Sequence, residues 1–176
     1  QYNYKDVKVS KEGDRYGIHF DMMHLAPPQT APNFIRNSPL ASSEGWVEVD
    51  KGTMQHVRFA NVFSLGDASN LPTSKTGAAI RKQAPIVAAN ILSLIERDAL
   101  GGKDYTGYTS CPLVTGYGKM VLAEFDYAKE FQPDPKLKDF PLMIKDSSKE
   151  HWRLWVLKKY ILPYLYWNKM MKGIEV

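Results

Sequence analysis

A glycine–aspartate pair followed by a polar loop and a helix start carries the clearest binding chemistry in this sequence. Gly66 ends a short apolar run, residues 61–65, at a point where a ligand can approach the backbone closely. The carboxylate of Asp67 can accept hydrogen bonds from sugar-like hydroxyls. The following helix start offers backbone N–H groups to an electron-rich or anionic ligand atom, with Lys75 adding charge. From these residues alone, a simple strand–turn–helix in which Asp67 and Ser74 only cap is an equally good interpretation.

Cys111 is the single cysteine of the 176 residues, which excludes an intramolecular disulfide framework and a cysteine-rich zinc site. A lone thiol is either a small buried apolar group or a redox group. The four histidines have no metal-ligand spacing, so no metal site is predicted. Glu124 and Asp126 lie two residues apart on a predicted strand, and a solvated strand face explains them as well as acid–base chemistry does.

The order of features in FANVFSLGDASNLPTSKTGAA, residues 59–79, resembles the carboxy-terminal FAD-contacting motif of flavoproteins with two dinucleotide-binding domains. The likeness is strongest to the sulfide:quinone oxidoreductases. This resemblance implies FAD as the cofactor, with Asp67 of the Gly66–Asp67 pair holding the flavin chain. It also implies four residues that face the ring and stabilise its reduced form: Lys75, Thr76, Gly77 and Ala78.

A second segment, YTSCPLVTGY at residues 108–117 followed by VLAEFDY at 121–127, resembles the part of the same enzymes that bears their second redox cysteine. The resemblance implies that Cys111 is catalytic, one of a cysteine pair that carries a persulfide during turnover, with sulfide and quinone as substrates. The partner cysteine and the Gly-rich FAD fingerprint are missing from this sequence. We therefore expect roughly the last two-fifths of such an enzyme, inactive by itself. A type II NADH:quinone dehydrogenase, which does not need Cys111, is the alternative enzyme.

The tail, residues 147–173, combines tryptophan and tyrosine with interleaved lysine and arginine. Aromatic rings favour the interfacial zone of a bilayer, and lysines reach lipid head groups, so the pattern predicts a helix lying in the membrane plane. The family resemblance agrees, since these enzymes sit monotopically on the bacterial or mitochondrial inner membrane. A core-packing or dimerising helix is the alternative, and a homo-oligomer stays open. A non-catalytic membrane-docking module is the rival function from another class.

Composition sets limits on these interpretations. The sequence is 44% hydrophobic and 24% charged, enough for one globular unit or two small ones. A net charge of +4 and a pI near 9.0 are too weakly basic for a dedicated nucleic-acid binder. No run of about 18 apolar residues occurs, which argues against a conventional membrane span.

The alternating and helical patterns predict an α+β fold within this chain. The family resemblance implies that it is part of an α/β, two-dinucleotide-binding-domain FAD fold that ends in a β-hairpin and amphipathic helices. Three regions are expected: a second-domain remnant at 1–33, the closing strand, loop and helix of the FAD domain at 34–104, and the hairpin and tail at 105–176. Alternation predicts strands within 14–25, at 46–50 and at 61–65, and a hairpin over 108–127. Helical spacing predicts helices over 75–96 and 147–172, with proline kinks at Pro85 and Pro163.

Overall fold

The computed structural model describes residues 8–102, 104–139, 142–174 and 176. The chain divides into two compact units, Gln1–Thr30 and Ala31–Val176. In the first unit, strands β1 (Val9–Glu12) and β2 (Arg15–Ile18) pair antiparallel, and all of their residues are exposed. The strand predicted within 14–25 is therefore confirmed only over its first part.

The second unit opens with the short helix α1 (Asn33–Arg36) and a stretch of irregular backbone. The regular strands predicted at 46–50 and 61–65 are wrong. Val47 bridges both Ala41 and Ser69, and Val49 bridges His56, so these residues make isolated contacts with several segments instead of one ladder. The alternating apolar pattern reflects burial instead of a regular strand, because both valines are buried.

Helix α2 (Gly77–Arg97) begins close to its predicted start, with Thr76 as its N-cap. Pro85 lies inside the helix, so the regular helix does not begin at the proline. The buried residues of α2 are mostly small or polar, with one core valine: Ala79, Gln83, Val87, Asn90 and Ser93. The isoleucines and leucine that gave the helix its apolar pattern, Ile91, Leu92 and Ile95, are instead 37%, 56% and 75% exposed.

Strands β3 (Thr109–Gly116) and β4 (Lys119–Phe125) form the predicted antiparallel hairpin. The turn between them contains Gly118, whose φ of 72° belongs to the left-handed region that glycine adopts without strain. In the register of the hairpin, Cys111 lies opposite Ala123. The hairpin prediction is thus confirmed.

The tail is one continuous helical run from Trp152 to Asn168, made of α3 (Trp152–Val156), a π-helical segment (Leu157–Ile161) and α4 (Leu162–Asn168). His151 caps its start, and a 3-10 turn, Met170–Lys172, follows. The π-helical segment ends two residues before Pro163, the residue that lacks a backbone N–H, and helical backbone continues past the proline.

Two apolar clusters hold the second unit together. The first gathers buried residues from the irregular region, α2 and the segment before β3: Val47, Val49, Met54, Leu71, Val87 and Tyr105. The second joins β4 to the tail: Met120, Leu122, Leu137, Ile144 and Leu154. The fold of the described residues is α+β, and among them no helix is both long and apolar enough to cross a bilayer.

Candidate active site

The Gly66–Asp67 pair lies in a single 3-10 turn, Gly66–Ala68, that packs against α2. Gly66 has a φ of 65°, and its N–H donates a hydrogen bond of 2.8 Å to Oε1 of Gln83. A Cβ at this position would lie 3.1 Å from the side chain of Ile80. Both the backbone conformation and the close approach therefore require glycine. The side chain of Asp67 remains exposed beside this turn.

Lys75 folds back over the same turn. Its Nζ donates hydrogen bonds of 2.7 Å to the backbone oxygens of Asp67 and Ser69 and lies 3.9 Å from the ring centroid of Trp46. Partial burial lowers the pKa of the Lys75 amine, against the opposing charges of Asp67 and Glu44. The positive charge of Lys75 thus stabilises the loop between Asp67 and α2.

The first turn of α2 faces a small hollow beside this loop, lined among others by Gly66, Ser74 and Thr76. The hydroxyl of Thr76 accepts a hydrogen bond of 3.1 Å from the N–H of Ala79. The N–H groups of a first helical turn have no partner within the helix, and nothing lies within 4 Å of the position that a Cβ would occupy at Gly77. A ligand can approach the backbone here.

The loop before α2 and the start of β3 are hydrogen-bonded side by side. Thr73 Oγ1 donates to the oxygen of Gly107 at 3.0 Å, and Thr109 Oγ1 lies 2.9 Å from Oγ1 of Thr76. Cys111 is exposed and follows Thr109 by two residues, on the same face of β3 and about 7 Å along the strand. The two segments singled out in the sequence therefore meet in the structure, although some 30 residues separate them.

Glu124 is a buried carboxyl group, so the solvated strand face, one of its two sequence interpretations, does not apply to it. Its Oε1 accepts hydrogen bonds from the hydroxyl of Tyr108 at 2.7 Å and from the N–H of Asp134 at 3.1 Å, and its Oε2 accepts one from Ser147 at 3.2 Å. Burial raises the pKa of Glu124, and burial together with the neighbouring Glu124 raises the pKa of Tyr108.

A sequence signal for the burial of Glu124 exists. Met120, Leu122 and Glu124 are spaced by two residues in β4 and therefore share one face, and the first two belong to the core. Asp126, in contrast, follows the strand and accepts hydrogen bonds from the backbone of residues 128 and 130. The two carboxylates thus have different environments.

The tail helix packs against the same hairpin. Lys158 Nζ donates to the backbone oxygen of Pro112, next to Cys111, at 2.9 Å, and the ring of Trp155 lies 5.1 Å from that of Tyr117. Several aromatic side chains of the helix point into solvent, with exposures between 45% and 65%: Trp152, Tyr160, Tyr164, Tyr166 and Trp167. These five side chains form the exposed aromatic face of the tail.

Comparison with known proteins gives the chain three curated relatives of one kind. It is 46% identical over 94% of its length to the mitochondrial sulfide:quinone oxidoreductase of Mus musculus. It is 50% identical over 89% of its length to the mitochondrial sulfide:quinone oxidoreductase of Dictyostelium discoideum, and 43% identical over 94% to that of Schizosaccharomyces pombe. This chain is a homologue of the sulfide:quinone oxidoreductases. It spans 33–38% of the length of these relatives.

The predicted resemblance to the sulfide:quinone oxidoreductases is thereby confirmed over most of the chain. No profile of a protein family matches it. Among solved structures, a chain in the cryo-EM structure of the Tetrahymena thermophila mitochondrial ATP synthase F1Fo composite tetramer superposes with a TM-score of 0.66, covering 86% of this chain and 35% of that one. The two are 23% identical, and the likeness concerns the fold alone.

Proposed function

We propose that this protein oxidises sulfide and passes the electrons through FAD to a membrane quinone. The names of the three relatives support this reaction. Within the structure, the observation that supports it most directly is the juxtaposition of the Cys111 strand with the loop and first turn of α2. A thiol next to a candidate flavin-binding loop is the arrangement that a sulfide-oxidising flavoprotein needs.

The residues of the loop fit FAD. Gly77 allows the backbone close contact with a ligand, and the exposed carboxylate of Asp67 can accept hydrogen bonds from ribityl hydroxyls. Thr76, Gly77 and Ala78 would lie beside the flavin ring, where the helix N-terminus favours negative charge. Lys75 would act by fixing the shape of this loop, because its amine already binds two loop oxygens. When bound, FAD would accept two electrons from a thiolate and deliver them to quinone.

Cys111 would contribute one sulfur of a redox disulfide, and its exposure leaves it accessible to HS⁻. Attack by HS⁻ on one sulfur of the pair forms a persulfide there and releases the other sulfur as a thiolate. The outer sulfur of the persulfide then passes to an acceptor nucleophile, which frees the second thiolate. Re-formation of the disulfide from the two thiolates would release the two electrons that FAD accepts. Because Cys111 is the sole cysteine among the 176 residues, its partner must come from another part of the protein or another chain.

The exposed aromatic face of the tail would bind the membrane surface that supplies quinone. Its tryptophans and tyrosines are the side chains that favour the bilayer interface, and Lys159 and Lys169 lie among them. Since the relatives are named mitochondrial, we propose peripheral attachment to the mitochondrial inner membrane.

Anaerobic spectroscopy of the full-length, flavin-loaded protein tests the proposed reaction. Sulfide should bleach the flavin absorbance, and a soluble quinone should restore it. Cys111→Ser should abolish bleaching by sulfide, whereas Leu113→Ser, an exposed position on the same strand, should retain it. Bleaching by NADH but not by sulfide would contradict the proposal and favour a type II NADH:quinone dehydrogenase.

Vesicle co-sedimentation tests the membrane proposal. Trp167→Ala should weaken binding to anionic vesicles by about tenfold, because it removes a large aromatic side chain from the interface. Phe34→Ala, which truncates an aromatic side chain 78% exposed on α1, is the matched control and should bind normally. Equal binding by both variants would contradict the assignment of the tail. If the protein binds vesicles but sulfide does not reduce its flavin, the result would favour a membrane-docking module.

A further inference from the structure

One side chain joins the strand of Cys111 to the first turn of α2. Thr109, the first residue of β3, is 4% exposed. Its Oγ1 lies 2.9 Å from Oγ1 of Thr76 and donates to the backbone oxygen of Ser74 at 3.3 Å. Thr76 is the N-cap of α2, so the hydroxyl of Thr109 contacts the residue that defines where the helix begins.

These hydrogen bonds have one consistent direction. The N–H of Ala79 donates to Thr76 Oγ1, the Thr76 hydroxyl donates to Thr109 Oγ1, and the Thr109 hydroxyl donates to the oxygen of Ser74. In this arrangement each hydroxyl donates once and accepts once, which satisfies both groups. The chain of bonds starts and ends in the α2 region and passes through β3 only at Thr109.

We propose that Thr109 is a positioning residue that sets the distance between Cys111 and the first turn of α2. This inference rests on the proposed sulfide oxidation and names a residue that the reaction depends on. The hairpin ladder fixes β3 to β4, and Lys158 ties Pro112 to the tail, but neither contact relates β3 to α2. Without the Thr109 hydroxyl, the hairpin would keep its strand pairing but would lose its buried hydrogen bond to the N-cap of α2.

Thr109→Val is the direct test, since valine has nearly the same shape and no hydroxyl; Thr109→Ser restores the oxygen. In the full-length, flavin-loaded protein, the valine variant should reduce its flavin with sulfide about 10- to 100-fold more slowly, the effect expected of a displacement near 1 Å. Reoxidation by quinone should be unchanged. Thr109→Ser should recover the rate of reduction.

Hydrogen–deuterium exchange supplies a readout that does not depend on turnover. Peptides covering 73–80 and 106–112 should exchange about tenfold faster in the valine variant, as expected for the loss of one buried hydrogen bond, while 119–125 in β4 should not change. Should the valine variant fail to fold, Thr109→Ala carries the same two measurements.

The outcomes separate the inference from the reaction on which it rests. Faster local exchange with an unchanged rate of sulfide reduction would overturn the positioning role and leave the proposed function standing. Equal slowing of both half-reactions, or failure of serine to rescue, would also overturn it, because either indicates a general structural loss. A wild-type protein that sulfide does not bleach would refute the proposed function itself.

Discussion

Glu124→Ala should lower the free energy of unfolding by about 3–5 kcal/mol, because three donors would lose their acceptor at once. The hydroxyls of Tyr108 and Ser147 and the N–H of Asp134 all donate to this carboxyl group, whose residue is 0% exposed. Each buried donor left without a partner costs about 1–3 kcal/mol, and partial rehydration of Tyr108 and Asp134 favours the lower values.

Glu124→Gln isolates the effect of charge. The amide keeps one oxygen for Tyr108 and Asp134, and its NH₂ can donate to the Ser147 oxygen, so we expect a loss of about 1 kcal/mol or less. Burial raises the pKa of Glu124 above its ordinary value of 4.5, which means that the folded state binds this proton more tightly than the unfolded state. Stability from this group is therefore greater near pH 4.5 and is lost as pH rises through the folded-state pKa.

Urea denaturation followed by tryptophan fluorescence measures both effects, since all four tryptophans lie in the second unit. As the pH rises from just above 4.5 to neutrality, the contribution of Glu124 to the free energy of unfolding of the wild type should decline. The Glu124→Gln variant should not show this decline. The reasoning is refuted if alanine costs less than about 1 kcal/mol, or if the glutamine variant keeps the pH dependence of the wild type.

Two further substitutions test the loop before α2. Gly66→Ala should lower the free energy of unfolding by about 1–3 kcal/mol, because it combines a positive φ with a Cβ 3.1 Å from Ile80. The control, Gly118→Ala, has a similar φ and nothing within 4 Å, so its loss should be smaller. Equal losses in urea denaturation would contradict the close contact. Lys75→Met should lower the free energy of unfolding by about 2 kcal/mol, because it removes two charged hydrogen bonds. Lys82→Met breaks a partly exposed ion pair and should lower it by less than about 1 kcal/mol. The reverse order would refute the role of Lys75 in the loop.

The elements specified by residues close together in the sequence were predictable. Alternation on both sides of Tyr117 and Gly118 specifies a hairpin and its turn, and the structure has both. Helical spacing predicts a helix from residue 75, and α2 begins at Gly77; its N-cap is Thr76, whereas the strand–turn–helix interpretation had named Ser74 as a capping residue. The face that α2 buries was not predictable, since Gln83 and Asn90 are buried through hydrogen bonds to Gly66 and Thr53 that only the folded chain brings into reach.

Burial of polar groups accounts for the other differences. The amine of Lys75 was expected to add charge toward a ligand, yet its two acceptors lie six and eight residues earlier in a turn whose shape the sequence does not specify. The donors to Glu124 lie 10 to 23 residues away. Alternation in β4 shows that this carboxyl group points inward, but whether it finds partners there depends on the packing of the tail and the loop around it.

The sequence motifs imply two separate functions, a flavin loop and a redox cysteine, and nothing in their spacing indicates that they meet. In the structure, two hydrogen bonds between side chains of the α2 loop and the start of β3 bring them together, through Thr73 and Gly107 and through Thr76 and Thr109. Because the cysteine strand is then anchored on the α2 loop at its first residue and on the tail at Pro112, a change at either anchor can alter the position of Cys111. The loop before α2, Cys111 and the exposed aromatic face are therefore best tested together, with substitutions at the contacts between them as well as at Cys111 itself.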